Sequence, residues 1–290
     1  MSVRLAMIVR DEEAIIGTSL QAVKHLVDEW TIIDTGSVDD TPAIVADVLA
    51  DKPGVLLHRP WKNFGYNRSE LFREARDGTD FLMLLDADMV VDHPDQLPSL
   101  EGKDVWNGVI EHSVLDYQLP ILVSGQKEWR YEGVAHSYLA TDGFFTQGVI
   151  QNLRVKHEGK TTTEKLERDL VLLSDENVRN PMHARTVFYL AQTYRDLGRI
   201  DEAIHYYRLR ANMRGWDEET FYARYRLGCL LCEHVSFELG APELLEAWRM
   251  RPSRAEPLRA LARSGMNVAD KIPYPTDMLF VHRDAYKEQP

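Results

Sequence analysis

Apolar residues follow two rhythms along the first half of the chain. Short unbroken runs, "VRLAMIV" (3–9), "WTIID" (30–34), "GVLLH" (54–58) and "FLMLL" (81–85), read as buried strands, each ending on polar or small residues. Between them apolar residues recur at helical spacing. Ile16, Leu20, Val23 and Val27 predict an amphipathic helix over 13–27. In "DDTPAIVADVLAD", Thr41 reads as an N-cap with Pro42 at the first helical position, and Val45, Val48 and Leu49 face a core. "YNRSELFREARDG" is a third helix, closed near Gly78. Strands alternating with helices predict βαβ units and a mostly parallel sheet, an α/β fold.

The second half changes period. "TEKLERDLVLL" (163–173) carries Leu166, Leu170 and Leu173 on one face. Leu190, Ala191, Tyr194, Gly198, Ala203 and Tyr207 then match the large and small positions of a tetratricopeptide helix pair. A looser second unit runs from Leu227-Gly228 to Ala247 and Pro252. Such pairs bury their apolar faces only by stacking on neighbours.

Composition narrows the class. The chain has 290 residues, 44% of them hydrophobic and 28% charged, which suits a globular protein of one large or two ordinary domains. No apolar stretch approaches the length of a membrane span, and the first residues turn acidic too early for a signal peptide. A cytoplasmic protein is expected. The two cysteines, Cys229 and Cys232, exclude a disulfide framework and lie one helical turn apart, where packing explains them better than metal or redox chemistry. Of the net charge of −12, residues 1–160 carry −11 and residues 161–290 carry −1. An acidic front half repels phosphate unless a cation inverts the local field. Arg249, Arg251, Arg254, Arg259 and Arg263 read first as a solvated helix face, and nothing is basic enough to announce a nucleic-acid-binding domain.

In open α/β sheets ligands bind outside the carboxyl ends of the strands. Here those ends carry Arg10, Asp11 and Glu12, then Asp34, then Asp86 and Asp88. The last two are like charges one residue apart after a buried strand, and they demand a positive partner. Hard carboxylate oxygens suit Mg²⁺ or Mn²⁺ shared with a diphosphate. A pair of helix-capping aspartates is the plainer reading of D-x-D alone, but three acidic strand ends on one edge favour the metal. Neither GxGxxG after the first strand nor GxxxxGK[ST] occurs, against dinucleotide-binding and P-loop folds.

"LAMIVRDEEAII", "IIDTGSVDDT", "WKNFGYNRSE" and "LMLLDADM", in this order, resemble a family 2 glycosyltransferase of the GT-A fold over roughly residues 3–160. The resemblance implies that Asp34 contacts the nucleotide base with Asp11 beside it, that Arg68 lies near the donor, and that Asp86 and Asp88 hold the metal and the diphosphate. Arg10 and Glu12 join the donor set. The late histidine that completes the metal shell in such enzymes falls on His157, in "LRVKHEG". "EWRYEGVAHSYL" (128–139) is similar to the family's Y-x-G-x-V-H-E stretch, with Ser137 in place of its glutamate. Among Glu128, Glu132 and His136, His136 ranks first as catalytic base and Glu132 second, with Glu111-His112 weaker. An inverting transfer is implied.

The resulting organisation is a GT-A domain over 1–160, a helical-repeat domain over 161–275 and a tail over 276–290 that packs back on the body. It resembles the glycosyltransferase subfamily that includes the SunS-type peptide S-glycosyltransferases. By analogy the repeats present the acceptor or form a homodimer. The donor implied is a UDP-sugar. The acceptor is left open among a peptide, a glycan, a small molecule and a modified nucleic-acid base. Two other readings stand at this point: a GT-A-like nucleotidyltransferase, and a non-catalytic repeat scaffold with a relic transferase domain.

Overall fold

The computed structural model describes residues 1–93, 95–112, 115–157, 159 and 162–269. The chain divides into two compact units, Met1–Thr161 and Thr162–Pro290.

The front unit is built on one eight-stranded sheet. Its strands are β1 (Val3–Val9), β2 (Glu29–Asp34), β3 (Gly54–His58), β4 (Phe81–Leu84), β5 (Met89–His93), β6 (Val105–His112), β7 (Leu115–Ser124) and β10 (Gln147–His157). They lie in the order β3-β2-β1-β4-β7-β6-β10-β5, and β8 (Trp129–Glu132) with β9 (Tyr138–Thr141) forms a separate ribbon. The sheet is more mixed than the alternating pattern predicts. β3, β2, β1 and β4 are parallel, as is β6 with β10, but β4–β7, β7–β6 and β10–β5 are antiparallel. The alternation of strands and helices ends at β4, and with it the crossover connections that enforce parallel pairing.

β1 lies between β2 and β4, and its two faces enter different cores. Val3, Leu5, Met7 and Val9 pack with α1 (Ile16–Val23) and α2 (Thr41–Val48) through Ile16, Leu20, Val23 and Val45. Ala6 points the other way, into a cluster with Leu71, Phe72 and Ala75 of α3 (Phe64–Ala75) and with Trp129. Side chains alternate across a strand, so a strand covered on both faces reads as a continuous apolar run. The helix expected over 13–27 is shorter, starting at Ile16 and closing in a 3₁₀ turn over Lys24–Leu26. Ile15 and Ile16 donate their amides to the Glu12 carbonyl, so the residues before the helix serve the loop instead.

The second unit is helical: α4 (Thr163–Arg179), α5 (Ala184–Asp196), α6 (Ile200–Ala211), α7 (Asp217–His234), α8 (Phe237–Met250) and α9 (Glu256–Ala269). Each helix packs on the next in sequence. Leu190, Ala191, Ala203 and Tyr207 are buried, and Gly198 makes the turn between α5 and α6 at φ +73°. α7 and α8 approach through glycines. A β-carbon on Gly240 would lie 2.5 Å from the Gly228 carbonyl oxygen and 2.3 Å from Cys232 Sγ. That contact accounts for Cys232 as a packing residue, and burial raises the pKa of both cysteine thiols. The tail over 276–290 lies outside the described residues.

Candidate donor and metal site

The carboxyl ends of the parallel strands bring the polar residues to one edge. Strand register sets Val9 beside Asp34 and Asp34 beside His58. The loops after β1 and β2 are sewn together by short polar side chains. The Asp11 amide donates to Ser37 Oγ at 3.0 Å, and Asp11 Oδ1 accepts the Val38 amide at 2.8 Å. Likewise the Glu12 amide donates to Thr41 Oγ1 at 2.8 Å, and the Glu13 amide to Asp39 Oδ2 at 3.0 Å. Asp11 takes φ +52°, a left-handed conformation that aspartate tolerates better than most residues. Thr41, expected as an N-cap, is instead the first residue of α2. Asp40 occupies the cap position, and the Thr41 hydroxyl is committed to Glu12.

Asp34 sits at the end of β2 with its side chain 4% exposed. It accepts the Ser37 amide at 3.1 Å, the Gly36 amide at 3.3 Å and His58 Nδ1 at 3.1 Å. Burial works to raise its pKa, but hydrogen bonds from Ser37, His58 and Gly36 outweigh it and hold the carboxyl below the ordinary value.

At the end of β4 the two aspartates diverge. Asp86 forms an ion pair with Arg68 of α3, whose Nη1 also donates to Ser137 Oγ at 3.3 Å. The guanidinium carbon lies 5.6 Å from the Phe64 ring centroid and 5.2 Å from that of Tyr131. Burial disfavours its charge, yet Asp86, Tyr131 and Asp88 raise the Arg68 pKa overall. The positive group demanded by the D-x-D pair is therefore present in the chain itself, at least for Asp86. Asp88 turns to His157, Nε2 to Oδ2 3.4 Å. Register explains the meeting, because His157 pairs with Met89, the residue after Asp88. The turn is fixed by the Met89 amide on the Asp86 carbonyl at 3.0 Å and by Ser19 Oγ on the Ala87 carbonyl at 2.6 Å.

Cis ligands of an octahedral ion with bonds near 2.1 Å stand about 3.0 Å apart. The Asp88–His157 separation of 3.4 Å is close to that spacing. A β-carbon on Gly159 would fall 2.0 Å from Asp88 Oδ2 and 3.0 Å from His157 Nε2, so only glycine leaves both side chains room. Among the described residues no three His, Cys, Asp or Glu side chains form a complete cage.

The base candidates stand on the β8–β9 ribbon. His136 is exposed at φ +48° in the loop between its strands. Glu132 accepts Arg130 Nε at 2.9 Å and the Tyr138 hydroxyl at 2.5 Å. Glu128 pairs with Arg76 at 2.9 Å and Glu111 with Arg154. The ribbon is locked to α3 by backbone contact. The Phe64 amide donates to the Val134 carbonyl at 3.2 Å, and a β-carbon on Gly65 would lie 2.4 Å from the Gly133 carbonyl oxygen. Arg10 is exposed, with Nε 3.4 Å from Asp11. Sequence reasoning missed His58, Gly159 and the role of Tyr131 against Arg68. For His58 the signal was there, since it closes a strand on the same edge as Asp34.

The model of the family "Glycosyl transferase family 2" matches residues 5–105, the stretch that holds β1 to β4 and the D-x-D pair. Residues 5–105 are thus similar to a family 2 glycosyltransferase domain. Its sheet with flanking helices is that of the GT-A architecture, followed in this chain by the helical region. An uncharacterized glycosyltransferase of Rickettsia felis is 24% identical to this chain over 232 residues, covering 75% of this chain and 78% of that protein. A TPR repeat-containing protein of Synechococcus elongatus is 41% identical over 87 residues, which are 30% of this chain. That match spans only 20% of the Synechococcus protein. Among solved structures, Staphylococcus aureus TarS 1–349 in complex with UDP-GlcNAc superposes over 92% of this chain and 91% of that one, with 10% identity and a TM-score of 0.41. Among the described residues, no helix is long and apolar enough to cross a membrane.

Proposed function

We propose that the chain is a metal-dependent, inverting glycosyltransferase that moves a sugar from a UDP-linked donor to an acceptor. Residues 1–160 carry the transfer, and the helical region over 161–275 helps to present the acceptor. The observation that carries the reading is the convergence of Asp88 with His157, 3.4 Å apart, beside the Asp86–Arg68 pair at the end of β4.

In this reading Asp88 and His157 hold Mn²⁺ or Mg²⁺, with Asp86 as a further ligand. The ion, when bound, supplies Lewis-acid stabilisation to the departing diphosphate. Arg68, held between Phe64 and Tyr131, places a fixed positive charge where the donor phosphates lie. Because α3 and the ribbon are pinned together, that charge is oriented before the donor arrives, and no reorganisation is needed as negative charge develops. The His136 imidazole takes the proton from the acceptor hydroxyl, thiol or amide as the new bond to the sugar forms on the face opposite the leaving group. Glu132 is second in this role, because its carboxylate already holds Arg130 and Tyr138.

The test is thermal unfolding with UDP-, GDP-, TDP- and CMP-linked sugars, each with Mn²⁺, with Mg²⁺ and with EDTA. A donor at a hundred times its dissociation constant adds about 2.7 kcal/mol, a shift of a few degrees for a chain of this size. A shift with one nucleotide family that needs the metal and vanishes in Asp88→Ala is the expected result. No shift with any donor would leave the aspartates as remnants on a scaffold.

A further inference from the structure

Among the described residues, three arginines of the helical unit bury their Nε without a hydrogen-bond partner: Arg210, Arg224 and Arg226. Two of them are answered at the other end of the guanidinium. Arg210 reaches Glu219 at 3.2 Å, and Arg224 reaches Glu243 at 2.8 Å. Arg226 is different. Half-buried on α7, it makes no hydrogen bond and no ion pair among the described residues. Long charged side chains are rarely withdrawn from water without a partner, because a desolvated charge left unanswered costs stability.

Its surroundings supply no free anion. Arg226 lies within electrostatic reach of the Tyr207 and Tyr225 phenols and the Cys229 thiol, all neutral at neutral pH. Tyr207 is already engaged, its hydroxyl accepting Arg195 Nη1 at 3.1 Å. Burial raises the Tyr207 pKa and both guanidinium charges work against it, so Arg195 of α5 and Arg226 of α7 bear on one phenol. The nearby acids face elsewhere: Asp196 holds Arg195 at 2.6 Å, and Glu233, two turns further along α7, stands against His234 at 3.9 Å. Aromatic surface lies beside the arginine. Ring centroids are 5.2 Å apart for Phe188 and Tyr189, 6.1 Å for Phe188 and Tyr222, and 6.0 Å for Tyr222 and Tyr225, which links α5 to α7. Tyr189, Tyr222 and Tyr225 are each partly exposed.

We propose that Arg226 is the receptor for the side-chain carboxylate of an aspartate or glutamate on a peptide segment that lies across the tyrosines of α5 and α7. A carboxylate answers the guanidinium fork with two parallel hydrogen bonds, which repairs the unpaired charge. The flanking rings cover the neighbouring peptide residues, offering large, rigid contact area with a polar tip. Tyrosine and arginine are the residue types that anchor protein interfaces most often. A phosphate would satisfy the charge but leave the ring surface uncovered. The inference needs nothing from the transferase reading, and its experiment contains neither donor nor metal.

The experiment selects binders to the full chain from a random library of short displayed peptides. The best are synthesised with amidated C-termini, so that only side chains carry carboxylates, and titrated near neutral pH. Selected sequences are expected to be richer in Asp and Glu than the library. Changing the critical acid of the peptide to its amide should weaken binding about tenfold to a hundredfold, the scale of a hydrogen bond to a charged group. Arg226→Gln should weaken binding by the same factor, and the two changes together should cost no more than either alone. Arg226→Gln should also leave the unfolding midpoint in place, because it strips no carboxylate of a partner. Selection that yields no binder, binders without acidic enrichment, or losses that simply multiply when the two changes are combined would each overturn the inference. So would inorganic phosphate that binds wild type and not Arg226→Gln while no peptide does, which would assign the arginine to a phosphate. Should Arg226→Gln fail to fold, Arg226→Lys takes its place, with an expected loss of about threefold or more because a point charge lacks the fork.

Discussion

Arg68 and Arg210 are both withdrawn from solvent, with side-chain exposures of 19% and 0%, yet their surroundings differ in kind. Arg210 of α6 is closed in by near neighbours in sequence: Thr220 Oγ1 at 2.8 Å, the Trp216 carbonyl at 3.0 Å and Glu219 at 3.2 Å. Glu219 is itself shared with Arg185 at 2.6 Å. Every charge in that group is answered from within the helical unit. Arg68 is held by Asp86, Tyr131 and Ser137, remote in sequence, with the Phe64 ring one helical turn before it, and it faces the half-open pair Asp86 and Asp88. The comparison separates two uses of a buried cation. One staples helices, and the other faces the carboxylates at the end of β4.

Removing each arginine tests that distinction. Arg210→Ala should cost about 3–5 kcal/mol, because it strips a buried carboxylate of a partner. Hydrogen exchange should show the loss in α6 and α7 while nucleotide binding by the front unit is retained. Arg68→Ala should do the reverse, lowering transfer about a hundredfold with little change in the unfolding midpoint. If Arg68→Ala instead melts the front unit with activity per folded molecule unchanged, the two arginines are of one kind. Next in size, Gly240→Ala should destabilise the helical unit by about 1–3 kcal/mol, because its new methyl meets backbone that cannot withdraw. Denaturant unfolding followed through α7 and α8 would measure it.

The smallest effect expected is a difference in pH response. Burial, with Cys229 beside it, pushes the Tyr225 phenol up to about 12, and burial also raises Tyr189, Tyr206 and Tyr207. These groups bind their protons more tightly folded than unfolded. The stability they lend is whole below about pH 10, the range of a free phenol, and drains as pH rises through the folded values. Asp34 has the opposite sign. Its depressed pKa lends stability above about pH 4 that is lost as pH falls through the folded value. Alkaline titration followed by phenolate absorbance should therefore loosen chiefly the helical unit, which holds four such phenols against Tyr131 in the front unit, and acid should act on the strand-end loops.

Much of this arrangement is legible in the sequence, and the limits are physical. The first four strands announce themselves because each is a continuous apolar run ending in polar residues. His157 is placed beside Asp88 by strand register, and the family resemblance marks it without the register being visible. The antiparallel return of β7 and the pairing of β10 with β5 depend on long-range contacts that leave no local period. His58 escapes because a histidine closing a strand looks like surface until its neighbour is known. Thr41 misleads for a related reason. Its hydroxyl suits a cap, but a loop 29 residues away in sequence claims it.

That claim belongs to a larger pattern in which the loops after β1 and β2 exchange hydrogen bonds through Asp11 with Ser37 and Val38, Glu12 with Thr41, and Glu13 with Asp39 and Asp40. Two segments separated by a full helix and strand thus form one structural part. Insertions or deletions in either loop should be tolerated only together with a matching change in the other. A graft of this edge would have to carry both loops, and a chimera that exchanged one alone should lose the fold of that edge.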